Sequence, residues 1–212
     1  MQSMCRKPYV AGWFYTDKHC PNLILTQEDR KLHAKYLKFI LQQEKLAASG
    51  RKQTRFPYAP GEPRIIGGMN KYGAAIPTGN TVPVTMHYNS ENMTFPTIAD
   101  LWNAYYREYL LDDFPKLQVR AEDLIFFPKE VTKSVCECAG GRIHDMENFN
   151  YITKALKDAT AKTKYSMVDL LIRYGSGKKR TTQMTKEDLA YANSTLDSDL
   201  MQFYGYFHPS RN

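Results

Sequence analysis

The chain has 212 residues, 42% of them hydrophobic and 24% charged, and carries a net charge of +7. These proportions are those of a soluble globular protein able to bury a substantial core, with one domain, residues 1–212, as the default. They exclude a scaffold held mainly by disulfides, and no apolar run approaches the roughly 20 residues that span a bilayer.

The pI of 9.1 favours anionic partners, although a basic protein with scattered cations has the same balance. The first residues contain no continuous apolar stretch of the kind a signal peptide uses. Aromatic residues are plentiful, with 15 Tyr.

The first predicted helix covers about residues 26–48. Thr26 takes the N-cap position, Asp29 stands three residues on, and Leu32, Tyr36, Phe39 and Ile40 recur at helical spacing. Residues 49–96 then hold most of the glycines and prolines and read as one long, variable surface segment. "VPVTMHY" inside it has the look of a short strand. From Thr97 a second helix is expected, with Ile98, Leu101, Trp102, Tyr105 and Tyr109 on one face. A Trp–Tyr stripe at this spacing is ordinarily core.

Residues 117–119 are expected to form a buried strand, ended by the acid pair Glu122-Asp123. Pro128 suits the first position of a helix, Val131, Val135 and Cys138 share its face, and Gly140-Gly141 stop it. A further helix fits about 145–161, and "VDLLIRY" at 168–174 is a short apolar run of either type. Thr185 with Asp188 repeats the cap pattern ahead of a helix through Leu189, Ala192 and Leu196. A last short helix holds Leu200, Met201 and Tyr204. Helices predominate, and the single strand–turn–helix unit points to the edge of an α/β domain.

The four cysteines are Cys5, Cys20, Cys136 and Cys138. Cys136 and Cys138 stand two apart on a predicted helix and point to different faces, which suits packed free thiols better than a zinc site completed by His144. No metal is expected. The sequence does not decide whether Cys5 and Cys20 pair.

Three stretches together resemble the PAPS-dependent sulfotransferase family. "VRAEDLIFFPKEVTKSVCECAGG" is similar to the family's R-Y-E-D-L segment, which continues through a Pro into a helix. "FPTIADLWNAYYREYL" is similar to the helix that leads into it. "MTKEDLAYANSTLDSDLMQFYGY" is similar to the C-terminal helices, which close on Gly-Tyr. The order and spacing agree across about residues 97–206. Ala121 departs from the pattern, since the family carries there a Tyr that can stack near the donor's adenine.

The resemblance implies a P-loop-like three-layer α/β domain, helix-rich, with a small and mostly parallel sheet. It also implies that the chain begins inside the donor site, because the family's first strand, its Gly-rich phosphate loop with Lys, and its catalytic base precede the segment matched here. A poorly covered sheet of this kind implies self-association as well.

The co-substrate implied is PAPS (3′-phosphoadenosine 5′-phosphosulfate), and the parent reaction is transfer of its sulfuryl group to a hydroxyl or amine of a carbohydrate or small molecule. In "MQSMCRKPY", Ser3 resembles the family serine that binds the 3′-phosphate. In "YGSGKKRTT", Lys178, Lys179 and Arg180 match the basic loop that closes on the same phosphate; read without the family, that stretch is a solvated turn. No catalytic residue is assigned to this chain, which is expected to be inactive alone.

The alternative reading is a non-catalytic fragment or a binding module for an anionic ligand. Family members work in the cytoplasm or in the Golgi lumen. A second basic cluster, "GRKQTR" at 50–55, lies near Phe56, Tyr58 and Tyr72 in the segment that shapes the acceptor site in the family. Cations beside aromatics suit a sulfated or carboxylated carbohydrate or an aromatic acceptor; they also suit single-stranded nucleic acid, but no nucleic-acid motif accompanies them. His19 and His87 flank or lie in the same segment and could touch an acceptor, although a lone histidine is more often a satisfied structural residue.

Overall fold

The computed structural model describes residues 10–11, 18–19, 21–64, 79–88, 91–143, 147–149, 168, 171–172, 175, 181 and 184–208. These divide into two compact units, one formed by residues 1–110 with 183–212 and the other by 111–182.

In the first unit, helix α1 runs Gln27–Ala48 and begins on the expected cap. The Thr26 hydroxyl accepts from the Asp29 amide at 3.1 Å, and the Asp29 carboxylate accepts from the Thr26 amide at 3.2 Å. Two of the amide groups that a helix start leaves unpaired are thereby satisfied. Strands β1 (Val10–Ala11), β2 (Val84–Tyr88) and β3 (Glu91–Phe95) form a three-stranded antiparallel sheet in that order. Val84 pairs with Phe95 and Tyr88 with Glu91, the register of a tight hairpin. β2 is the strand expected at "VPVTMHY". β3 carried no signal, because Glu91, Asn92, Met93 and Thr94 are exposed and show no apolar alternation.

Helix α2 (Ile98–Leu111) starts on a threonine cap, Thr97. The Thr97 hydroxyl accepts from the Ala99 and Asp100 amides and donates to the Asp100 carboxylate at 2.7 Å. Ile98, Ala99, Leu101 and Trp102 are buried, as the periodicity predicts, but Tyr105 and Tyr109 are exposed. The ring that continues the buried face is Tyr106, 4.9 Å from Trp102 and 5.1 Å from Tyr204 between centroids. A phenol tolerates the boundary, so the stripe drifted by one residue without a large penalty. Helices α5 (Lys186–Thr195) and α6 (Ser198–Phe203) complete the unit. Leu23, Val84, Ile98, Leu101, Trp102, Ala192, Leu196, Leu200 and Met201 form one continuous core.

Polar contacts hold α2 and the α5–α6 corner together. The Asn103 side chain donates to the Thr195 carbonyl and accepts from the Asp197 amide, at 2.7 and 3.0 Å, and Arg107 pairs with Asp197. Asp197 also caps α6 through the Asp199 and Leu200 amides. Gly205 takes a positive φ of 63°, which ends α6 in the left-handed turn that glycine permits.

In the second unit, the strand expected at 117–119 is absent. Leu117 and Val119 are exposed and irregular. Two apolar residues after a Pro-Lys pair offer too short an alternation, and no described strand supplies the ladder partners. Beyond them the chain forms a short helix, α3 (Asp123–Phe126), and then α4 (Pro128–Cys138), begun by Pro128 and closed at Gly140, whose φ is 74°. No residue of α3 or α4 is buried. The helix expected near 145–161 lies outside the described residues.

Burial differs sharply between the units and so should the cost of truncation. Leu101→Ala should lower stability by about 2–5 kcal/mol in denaturant unfolding, whereas Leu124→Ala, at a position 52% exposed, should change it by under about 0.5 kcal/mol. Equal losses would mean that 111–143 packs as tightly as the first unit.

Candidate functional site

Among the described residues a buried cluster of ionisable groups lies where the N-termini of α1 and α5 meet. Both helices start with Thr-x-x-Asp, so each carries an aspartate in its first turn. His19 is buried between them. Its Nδ1 contacts the Asp29 carboxylate at 2.9 Å, and its Nε2 contacts the Asp188 carboxylate. The second oxygen of Asp188 accepts from the Leu23 and Ile24 amides at 2.8 and 3.0 Å. Asp188 also serves its own cap, with the Thr185 amide at 3.1 Å.

An imidazole that faces a carboxylate at each nitrogen is doubly protonated, with both nitrogens donating. Burial alone would depress the His19 pKa. The hydrogen bonds to Asp188 and Asp29, with their charges, outweigh that and raise it to about 9. Burial pushes Asp29 up, but its hydrogen bonds to His19 and Thr26 bring it below the ordinary carboxylate range. The surplus negative charge of two carboxylates and one imidazolium sits at the positive ends of two helix dipoles. The charges of the cluster are therefore matched by one another and by the two helix ends. The cluster can hold a proton and join two helices.

A second candidate is the basic–aromatic surface. At the end of α1, Gly50 adopts φ 69° and the chain reverses. The Arg51 amide returns to the Leu46 carbonyl, and the Thr54 amide donates to the Gln43 side chain at 2.7 Å. Residues 51–62 thus run back along α1. Phe56 anchors them, edge-on to Tyr36, Phe39 and Tyr58 at centroid distances of 5.3, 5.2 and 4.7 Å. Lys35 lies over the Phe56 ring and pairs with Glu62 at 3.0 Å. The five residues 51–55 are all exposed. Tyr72 lies outside the described residues.

Ser3, Lys178, Lys179 and Arg180, the residues that the family resemblance assigns to the 3′-phosphate, also lie outside the described residues, as do Cys5, Cys20 and His144. Cys136 and Cys138 are free thiols on α4, half-buried and exposed respectively. Among the described residues no group of acids, histidines and cysteines has the arrangement of a metal site. Asp123 is bound by Arg120, whose hydrogen bonds hold its carboxyl below the usual range, and it opens α3; the Glu122 side chain makes no cap bond. The sequence offered His19 as a histidine beside the variable segment that could touch an acceptor, and nothing in the spacing of positions 19, 29 and 188 brings the three together.

The His19 cluster sets two pH limits on stability. Unfolded, His19 titrates near 6.5, so the folded state keeps a proton that the unfolded state releases as pH rises from about 6.5 to 9. The contribution, on the order of 3 kcal/mol, is complete below about pH 6.5 and lost as pH climbs through 9. Asp29 acts oppositely: its share is present above the ordinary carboxylate pKa and fades as pH falls toward its lowered value. Urea unfolding followed from pH 6 to 10 should show this loss, and His19→Ala should remove the slope while costing about 3–5 kcal/mol at pH 6. An unchanged slope in the variant would exclude His19 as its source. No family model, no curated protein and no solved structure matches this chain, so its function has to be argued from its own residues.

Proposed function

We propose that the chain is the C-terminal portion of a PAPS-dependent sulfotransferase, whose parent activity moves a sulfuryl group from PAPS to a hydroxyl or amine of a carbohydrate or small molecule. The observation that carries this reading is the ordered run of three segments, each helical at the position the resemblance requires: α2 after Thr97, α4 opened by Pro128 directly after the acid pair and stopped by Gly140, and α5–α6 closed by Gly205-Tyr206. The finer architecture belongs to the same proposal, a P-loop-like three-layer domain with a mostly parallel sheet.

In this reading Ser3 offers a hydroxyl, and Lys178, Lys179 and Arg180 offer cations, to the 3′-phosphate. Sulfuryl transfer, like phosphoryl transfer, depends on positioning and on cations where negative charge spreads, together with a base for the acceptor's proton. This chain contributes part of the positioning. Its sequence contains no Gly-rich loop with Lys following a strand; "GSGKK" at 175–179 is the nearest stretch and stands near the C-terminal end. Binding without transfer is therefore the expected behaviour of the chain on its own, with self-association as its apolar surface allows.

A second reading, a binding module for an anionic ligand, is favoured by the charge distribution. Residues 18–64 hold ten Lys and Arg against four Asp and Glu, which concentrates six of the seven net positive charges there.

Calorimetry with 3′,5′-ADP separates the two. Binding to the 212-residue chain should be weak and should fall by about tenfold or more in Lys179→Ala/Arg180→Ala, given roughly 1.5–3 kcal/mol for each charge-assisted hydrogen bond to phosphate. A variant that binds as well as the parent chain would remove the loop from the site. Sulfate transfer by the chain unaided would overturn the view that it holds only part of the machinery.

A further inference from the structure

The net charge of residues 18–64 is arranged as well as concentrated. Lys31, Lys35, Lys38 and Lys45 are all exposed on α1. At 100° per residue they fall within an arc of about 80°, along roughly 21 Å of helix. Glu44 is turned about 140° from the centre of that stripe. Lys35 pairs with Glu62. Among the described residues Lys31, Lys38 and Lys45 make no ion pair.

The returning segment adds Arg51, Lys52 and Arg55, exposed and likewise without an ion pair among the described residues. It lies beside the stripe, since its two anchors on α1, Phe39 with Phe56 and Gln43 with Thr54, are on the adjoining face. Like charges three, four and seven residues apart on a helix repel one another, so the stripe raises the energy of α1 unless an anion covers it.

We propose that this face of α1, with residues 51–55, binds a linear polysaccharide bearing sulfate or carboxylate groups. The row of cations suits an extended ligand whose anions repeat along its length. Lysine predominates on the helix, a flexible, strongly hydrated point charge that follows a variable charge pattern without demanding a planar fork. The aromatic residues decide against single-stranded nucleic acid. Binding of that kind uses exposed ring faces on which bases stack. Here Phe56 is half-buried, engaged by Tyr36, Phe39 and Tyr58, and approached by Lys35 at 5.3 Å from its centroid. The aromatics hold the basic segment in place and leave the ligand to meet charge. The surface shares no residue with Ser3 or the Lys178–Arg180 loop, so the polysaccharide site stands independently of the 3′-phosphate assignment.

The test uses the full chain with heparin as the probe, and an oligodeoxythymidylate of matched charge as comparison, in calorimetry at two salt concentrations. Heparin should bind saturably, more weakly at the higher salt, and at least several-fold more tightly than the oligonucleotide. The triple variant Lys31→Gln/Lys38→Gln/Lys45→Gln should weaken heparin binding by about tenfold or more, and far-UV circular dichroism should show its helix content kept, since Gln is nearly as good a helix former as Lys. A control that removes the same charge from the second unit, Lys129→Gln/Lys133→Gln/Arg142→Gln, should stay within about twofold. Binding of 3′,5′-ADP should be the same in the stripe variant as in the parent chain, so failure here is distinguishable from failure of the transfer reading. Equal losses in both triples would reduce the effect to net charge and overturn the site. An oligonucleotide bound as tightly as heparin would overturn the choice of polysaccharide, and absence of heparin binding would overturn the site.

Discussion

The interaction on which the first unit depends is the imidazolium of His19 held between two aspartates. Each aspartate is first of all a local device that finishes the first turn of its own helix. Once His19 stands between them, two caps separated by 159 positions (29 to 188) become one structure. The Asp188 carboxylate also gathers the Leu23 and Ile24 amides, which ties the segment ahead of α1 to the start of α5. Leu23 belongs to the same core as Ala192 and Leu196, so the polar junction and the apolar packing reinforce each other. A buried charge cluster of this kind is costly to break because the groups left behind are already out of water.

The same Thr-x-x-Asp element at Thr97 is used differently. The Asp100 carboxylate faces the Tyr191 hydroxyl at 3.2 Å instead of a cation. Burial and the Asp100 charge raise the Tyr191 pKa, so the phenol keeps its proton and donates. α5 is thus held at two levels, by a salt-bridged cap at its start and by a phenol–carboxylate hydrogen bond one turn on. With Asn103 and Arg107 meeting the α5–α6 corner, α2, α5 and α6 form a unit fixed by directional contacts around an apolar centre.

The chain separates its structural charges from its exposed ones. Inside, acids and His19 neutralise one another at helix ends. Outside, the lysines of α1 and the cations of 51–55 are left largely uncompensated, and the aromatic residues around Phe56 stiffen the surface that carries them. A stiffened backbone beneath flexible cations loses little main-chain entropy when an anion binds, which is how a surface built from modest individual attractions becomes a binding face. The described part of the second unit has the opposite character: Phe114, Leu124, Phe126, Phe127 and Val135 are exposed, and no residue of α3 or α4 is buried.

The sequence by itself determined the local events. Thr26 and Thr185 with their aspartates, Pro128 at a helix start, Gly140 after its end and the apolar period of Ile98, Leu101 and Trp102 all act within a few residues, where backbone sterics and capping bonds leave few choices. The short strand at "VPVTMHY" was legible for the same reason. Tertiary structure decided the rest. Leu117 and Val119 form no strand because a strand exists only with a partner, and β3 forms without an apolar pattern because β2 supplies one. Tyr106 replaces Tyr105 at the core because neighbouring rings set the boundary. His19 becomes a buried cation only when residues far apart in sequence arrive together. Periodicity describes the inside of an element, whereas these outcomes depend on what a second element presents to it.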